Sequence, residues 1–165
     1  MSRYSKGKKS DFLPLFSFIL ILKVFIKVLI TMKLKIATTQ NTTAYQWEIK
    51  EIWLPTEQGL LTVKQTNTPS VLKLIPGIVS FTDEKGSIQN ISISKGIALI
   101  SPNEINITVS TLTTSPLKKI TELRNNQYLL ELKLAKLKNT GDIESINMLI
   151  DQIEKVKADI LLANS

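Results

Sequence analysis

The chain of 165 residues contains no cysteine and no histidine. Disulfides, thiolate nucleophiles, imidazole general bases and the usual zinc ligands are excluded together. Catalysis would have to rest on carboxylates, lysine, serine or threonine. No constellation of these stands out; exposed carboxylates such as Glu57 with Asp83 or Glu84 lack any motif that would position them. A non-enzymatic role is expected, with no cofactor and no metal.

Acidic charge is scarce at one end only. Residues 1–35 hold Arg3, Lys6, Lys8, Lys9, Lys23, Lys27, Lys33 and Lys35 against Asp11, which is the whole net charge of +7. The remaining residues hold 13 basic and 13 acidic side chains. A nucleic-acid binder clusters basic charge on its folded part. Here that part is neutral, so no nucleic-acid partner is expected.

What is abundant at the N-terminus is apolar length. From Phe12 to Met32, 16 of 21 residues are large and apolar, interrupted by Lys23 and Lys27. Sixteen such side chains favour insertion by about 5–10 kcal/mol, and two central lysines oppose it by roughly 2.5–3.5 kcal/mol each. Residues 1–32 therefore read as a basic N-terminus with a membrane helix. Two alternatives stand beside it: a helix lying on the surface, and a true start at Met32 with 1–31 an upstream extension. A cleaved signal peptide fits worse, because no small-residue cleavage site follows.

Residues 33–112 read as β structure, dense in valine, isoleucine and threonine and broken by turns every eight to twelve positions. Ile105-Asn106-Ile107-Thr108-Val109 and Ile91-Ser92-Ile93-Ser94 alternate with period two, predicting one buried and one wet face. Asp83-Glu84-Lys85-Gly86 predicts a hairpin turn with positive φ at Gly86. Many short strands suggest a sandwich or flattened barrel.

Residues 113–165 change texture. Ser115 is expected to cap a helix, with Pro116 in its first turn. Apolar residues recur at Leu117, Ile120, Leu123, Leu130, Leu134 and Leu137. Asn139-Thr140-Gly141 breaks the pattern and Asp142 is placed to cap a second helix. Its stripe is Ile146, Leu149, Ile150, Ile153, Val156, Ile160 and Leu161. The fold class is thus α+β: a β-sandwich, then an antiparallel helical hairpin, preceded by the apolar segment.

Four blocks give this layout a family likeness. Ile52-Trp53-Leu54-Pro55-Thr56-Glu57-Gln58-Gly59-Leu60-Leu61 resembles VVLPTEEGEL of the F-type ATP synthase epsilon subunits (delta in mitochondria). Asn67-Thr68-Pro69 stands where that family has HAP, and Leu74-Ile75-Pro76-Gly77-Ile78-Val79 resembles LKPGVV. The run from Ile93 to Asn103 resembles VSGGFVEVSPN. The likeness covers residues 33–112; the hairpin matches by architecture rather than by letters.

The resemblance implies a non-catalytic central-stalk subunit. Its sandwich would pack on a gamma-like rotor shaft and sit at the membrane ring or lipid. Its hairpin would reach catalytic alpha- and beta-like subunits and restrain ATP hydrolysis. Partner-binding residues would be Glu57, Gln58, Gly59, Leu60, Lys64, Asn67, Thr68, Pro69 and Val71, with Ser94, Lys95 and Gly96. Val71 is either surface or core. Departures gather in the loops that face the ring in ordinary members: Leu60 replaces an acid, Thr62 a glycine, Gln65-Thr66 a Pro-Gly pair, and Lys95 a glycine. They read either as neutral drift or as altered membrane coupling. The ATP motif I/L-D-x-x-R-A has a weak echo around Arg124, with Thr121 in place of the acid and Asn125 in place of alanine, so nucleotide binding is not expected. The competing class is a membrane-anchored β-sandwich interaction protein without a rotary role. Flanking charges of the apolar segment balance, so the need to meet the partner decides its topology: cell membrane, with the folded domains on the cytoplasmic side.

Overall fold

The computed structural model describes residues 19–22, 31–39, 41–65, 68–115, 119–138 and 142–164. The chain divides into two units, Met1–Thr31 and Met32–Ser165. In the first, Ile19, Leu20, Ile21 and Leu22 form helix and are exposed. The rest of the expected membrane segment, up to residue 30, lies outside the described residues. Among the described residues no helix is long and apolar enough to cross a membrane.

The second unit opens with β1 (Met32–Thr38), β2 (Asn41–Thr56), β3 (Gly59–Val63), β4 (Ser70–Leu74) and β5 (Gly77–Asp83). It continues with β6 (Ile88–Ile93), β7 (Gly96–Ser101), β8 (Glu104–Val109) and the short β9 (Leu112–Thr113). Strand neighbours run β4-β7-β8-β1-β2-β5-β6-β9, with β3 beside β2. The pairings are antiparallel except β1 with β8, which is parallel.

Strand β2 is long enough to serve both layers. Its first half pairs with β1 as far as Ile49 opposite Met32, and its second half pairs with β5 and β3. A register irregularity between Ile49 and Glu51 falls where the partner changes. Between the layers lies one core of Met32, Leu34, Ile36, Ile49, Ile52, Leu54, Phe81 and further apolar side chains. Each such burial contributes about 1.5–3 kcal/mol before ordering costs. Met32, expected as the last residue of the apolar segment, is instead a fully buried member of β1. Its place opposite Ile49 puts it on the inward face.

The turns follow local chemistry. Asp83 accepts backbone hydrogen bonds from Lys85 (2.9 Å) and Ser87 (2.8 Å), and Gly86 takes φ 87°. Strand β8 alternates as expected, with Ile105, Ile107 and Val109 buried. Strand β6 does not, because Ile91, Ser92 and Ile93 are all buried. The face expected to be wet is covered by a helix.

Two helices follow, α1 (Ile120–Leu137) and α2 (Ile143–Asn164). Helix α1 does not begin at Ser115. Lys119 stands at its N-cap in extended conformation without a side-chain cap bond, and the first buried contact is Leu123. Ser115 is too far back along the chain to reach the first-turn amides. Asp142 does cap α2, accepting from the Ser145 amide (3.2 Å) and hydroxyl (2.5 Å). These bonds hold its carboxyl below the usual aspartate range. The helices pack on each other, and α2 also packs on β5 and β6. Of the expected α2 stripe, Ile150 and Leu161 are exposed, while Lys155 and Ala158 are buried. Contact with the sheet has rotated the buried face away from the purely apolar one.

Candidate functional site

Those of the expected partner-binding residues that are described lie in turns and at strand ends or edge strands of the sandwich. Glu57 and Gln58 form the tight turn between β2 and β3, where Gly59 takes φ 113° and the Thr56 hydroxyl donates to the Gly59 carbonyl (2.7 Å). Leu60 projects from β3 at 70% exposure. Lys64 follows β3 and pairs with Glu51 at 3.4 Å. Asn67 lies outside the described residues, and Thr68 and Pro69 lead into β4. Ser94 and Lys95 make the β6–β7 turn and Gly96 opens β7.

Some of these residues meet. Lys73 of β4 donates to Glu57 (2.7 Å), and this bond, reinforced by the more distant Asp151 charge, raises its ammonium above the ordinary lysine value. Lys95 is paired with Asp151 of α2. The first stretch and the β6–β7 turn therefore approach each other around the start of β7, where Leu74 pairs with Gly96.

Val71 is surface and not core, at 70% exposure. It stands opposite Leu99 of β7, which stands opposite Asn106 of β8, which stands opposite Lys35 of β1. In the next row Lys73, Ile97 and Thr108 are aligned. Along the row through Val71 the outer face of this layer is thus graded: apolar at Val71 of β4 and Leu99 of β7, polar at Asn106 of β8, charged at Lys35 of β1. Val71, Ile97 and Leu99 form its apolar end, exposed side by side on adjacent strands. The sequence carries no signal for the exposure of Ile97 and Leu99, because the run Ile97-Ala98-Leu99-Ile100 shows no period-two polarity.

A second feature lies between hairpin and sandwich. A cleft of about 610 Å³ is lined by Ser94, Lys95, Thr111, Asn126, Asp151 and Lys155 among others. At its inner end the Lys155 ammonium donates to Ser92 (2.8 Å), Thr113 (3.0 Å) and Asp159 (2.6 Å). The Ser92 hydroxyl in turn donates to Asp159 (2.6 Å). Burial pushes the Lys155 ammonium below the ordinary lysine value, against the opposing pull of Asp159. No sequence signal pointed to this cluster, since a lysine at helical spacing from an aspartate reads as a solvated pair. Arg124 is exposed on α1. Among the described residues no group of three or more acidic side chains is placed to hold a metal ion.

Comparison with known proteins bears on both halves of the unit. Residues 31–115 match the family described as ATP synthase, delta/epsilon chain, β-sandwich domain. An ATP synthase epsilon chain of Clostridium botulinum (strain Eklund 17B / Type B) is 38% identical over 77 residues, 47% of this chain and 57% of that one. A mitochondrial ATP synthase subunit delta of Agaricus bisporus is 26% identical over 87 residues, 53% of this chain and 52% of that one. The chain thus spans little more than half the length of these relatives. Among solved structures, a chain of the Euglena gracilis mitochondrial ATP synthase (OSCP/F1/c-ring) superposes with TM-score 0.64 at 17% identity, covering 78% of this chain and 79% of that one. A chain of the Tetrahymena thermophila mitochondrial ATP synthase central stalk and c-ring gives TM-score 0.50 at 15% identity, covering 80% and 96%. At these identities the superpositions speak for the fold, sandwich and helices together. The sequence match over more than half of the chain speaks for descent: this chain belongs to the ATP synthase delta/epsilon family.

Proposed function

We propose that the chain is a non-catalytic, epsilon-like central-stalk subunit of an F-type or F-like rotary ATPase. The observation that carries this reading is the family match across the whole sandwich, residues 31–115. The graded outer face supports it: Val71, Ile97 and Leu99 offer an apolar centre for a gamma-like shaft, with Lys73 and Asn106 at its polar rim. The hairpin would face catalytic alpha- and beta-like subunits, where it would restrain ATP hydrolysis. Residues 12–31, with their 15 large apolar side chains, would lie in or on the membrane, the sandwich and hairpin being cytoplasmic.

The departures at Leu60, Thr62, Gln65, Thr66 and Lys95 favour a second reading, a membrane-anchored interaction protein of this fold without a rotary role. Affinity purification of the full chain from membranes separates the two. Co-purification of gamma-like and catalytic beta-like chains is expected. Recovery of other partners in their place would move the chain to the second class. Protease added to intact cells is expected to leave the folded unit uncut, and membranes are expected to retain it after a high-salt wash.

A further inference from the structure

The surface α2 turns toward the sandwich carries an ion pair among its apolar side chains. Lys155, Ala158, Asp159 and Leu162 share that face by helical spacing. The sheet beneath answers with hydroxyls and an amide: Ser92 is fully buried, and Ser80 donates to Asn90 at 2.8 Å. Lys155 is only 9% exposed, and its three bonds use all the donors an ammonium has.

Such a cluster sets position more than it adds stability. Taking an ammonium and a carboxylate out of water costs more than their attraction returns in many buried pairs, and an apolar replacement often binds better. The depressed Lys155 value has the same sign, burial outweighing Asp159. Register is another matter. Sliding α2 by one turn, about 5.4 Å, would carry the ammonium away from Ser92 and Thr113, leaving it only Asp159, which moves with it on the same helix, and two of its three donors without a partner.

We infer that Lys155 pins the hairpin to a single register on the sandwich while keeping that docking weak, so that the hairpin comes away more readily than it would from an apolar seam. The seam is internal to the chain and does not depend on which partner the sandwich meets. The groups around Lys155 are few. Asp159 and Asp151 come from α2 itself, Lys95 comes from the β6–β7 turn, and Lys73 of β4 senses Asp151. Strands β6 and β9 contribute the hydroxyls of Ser92 and Thr113, and α1 contributes Asn126.

The absence of cysteine makes the test direct. Ala158→Cys, on the docked face, reports opening of the seam by its thiol-labelling rate with iodoacetamide, in the full chain held in detergent micelles. Val79→Cys, deep in the sandwich core, reports global unfolding. K155M is expected to slow labelling at position 158 about fivefold, and D159N to speed it, with position 79 unchanged in both. With Lys155 present, the docked state binds fewer protons than the open one. After correction for thiolate formation, opening should therefore become rarer as pH rises toward about 10.4, the value of a free lysine. That slope should persist in Lys95→Met and vanish in K155M. Unchanged or faster labelling in K155M overturns the inference, and so does failure of K155M to fold, since the neutral side chain would then be the costlier one.

Discussion

Val71 and Leu99 face each other across the antiparallel pair of β4 and β7, and both side chains stand in solvent. A charge placed there meets water in the free subunit and a dehydrated surface in a complex. Val71→Asp should therefore leave the melting curve close to that of the parent, within about 1 kcal/mol. Binding to a gamma-like subunit should weaken by roughly 2 kcal/mol or more, read as a faster dissociation rate. Undiminished binding would remove β4 from the interface.

Gly96 is required by a close approach and not by its dihedral angles. A Cβ there would stand 2.2 Å from the Thr108 carbonyl oxygen and 2.6 Å from Val109. The backbone of β8 cannot yield without disturbing its pairing with both β7 and β1. Gly96→Ala should cost about 3 kcal/mol in thermal unfolding. Gly86→Ala, which has open space but φ 87°, should cost about 1 kcal/mol.

Met32 joins the buried core at the first residue of β1, so a fragment comprising residues 32–165 should give a mixed β and α circular dichroism spectrum with one cooperative melt. Met32→Ala within it should lower stability by about 2–5 kcal/mol. A disordered spectrum from the parent fragment would overturn the two-unit division.

Glu104 ties β8 to β1 through Lys35 at 2.9 Å. That bond first, then one from Asn106, holds its carboxyl below the usual glutamate range. A carboxylate favoured in this way stabilises the fold above the unfolded value of about 4.3, and the contribution disappears as pH falls through the lowered folded value. Melting temperatures of the parent and Glu104→Gln should differ at pH 7 and converge on acidification. A difference that stays constant down to pH 2 would assign the effect to packing instead.

Local chemistry made much of the fold legible without coordinates. Asp83 and Gly86 specify their turn by themselves, Asp142 caps α2 by reaching a neighbour three residues on, and β8 announces its inward face by strict alternation. The family blocks from Ile52 to Asn103 were legible for the same reason, being contiguous runs whose order needs no tertiary knowledge. The ends of elements were less so. Ser115 has the chemistry of a cap, yet α1 starts only at Ile120, and its first buried residue is Leu123.

What the sequence by itself determined, then, is a neutral sandwich followed by a hairpin, because alternation, helical spacing and turn residues act over a few positions. Only the tertiary structure decided which apolar residues remain outside. Val71, Ile97 and Leu99 carry the same side chains as the core; pairing on the outer face of one layer, not their chemistry, leaves them in water. It also decided that Ser92 is buried and that Lys155, which reads as a solvated lysine, ends between its helix and the sheet. Those two residues are separated by 63 positions, and only the docking of α2 on β6 brings the hydroxyl and the ammonium to 2.8 Å.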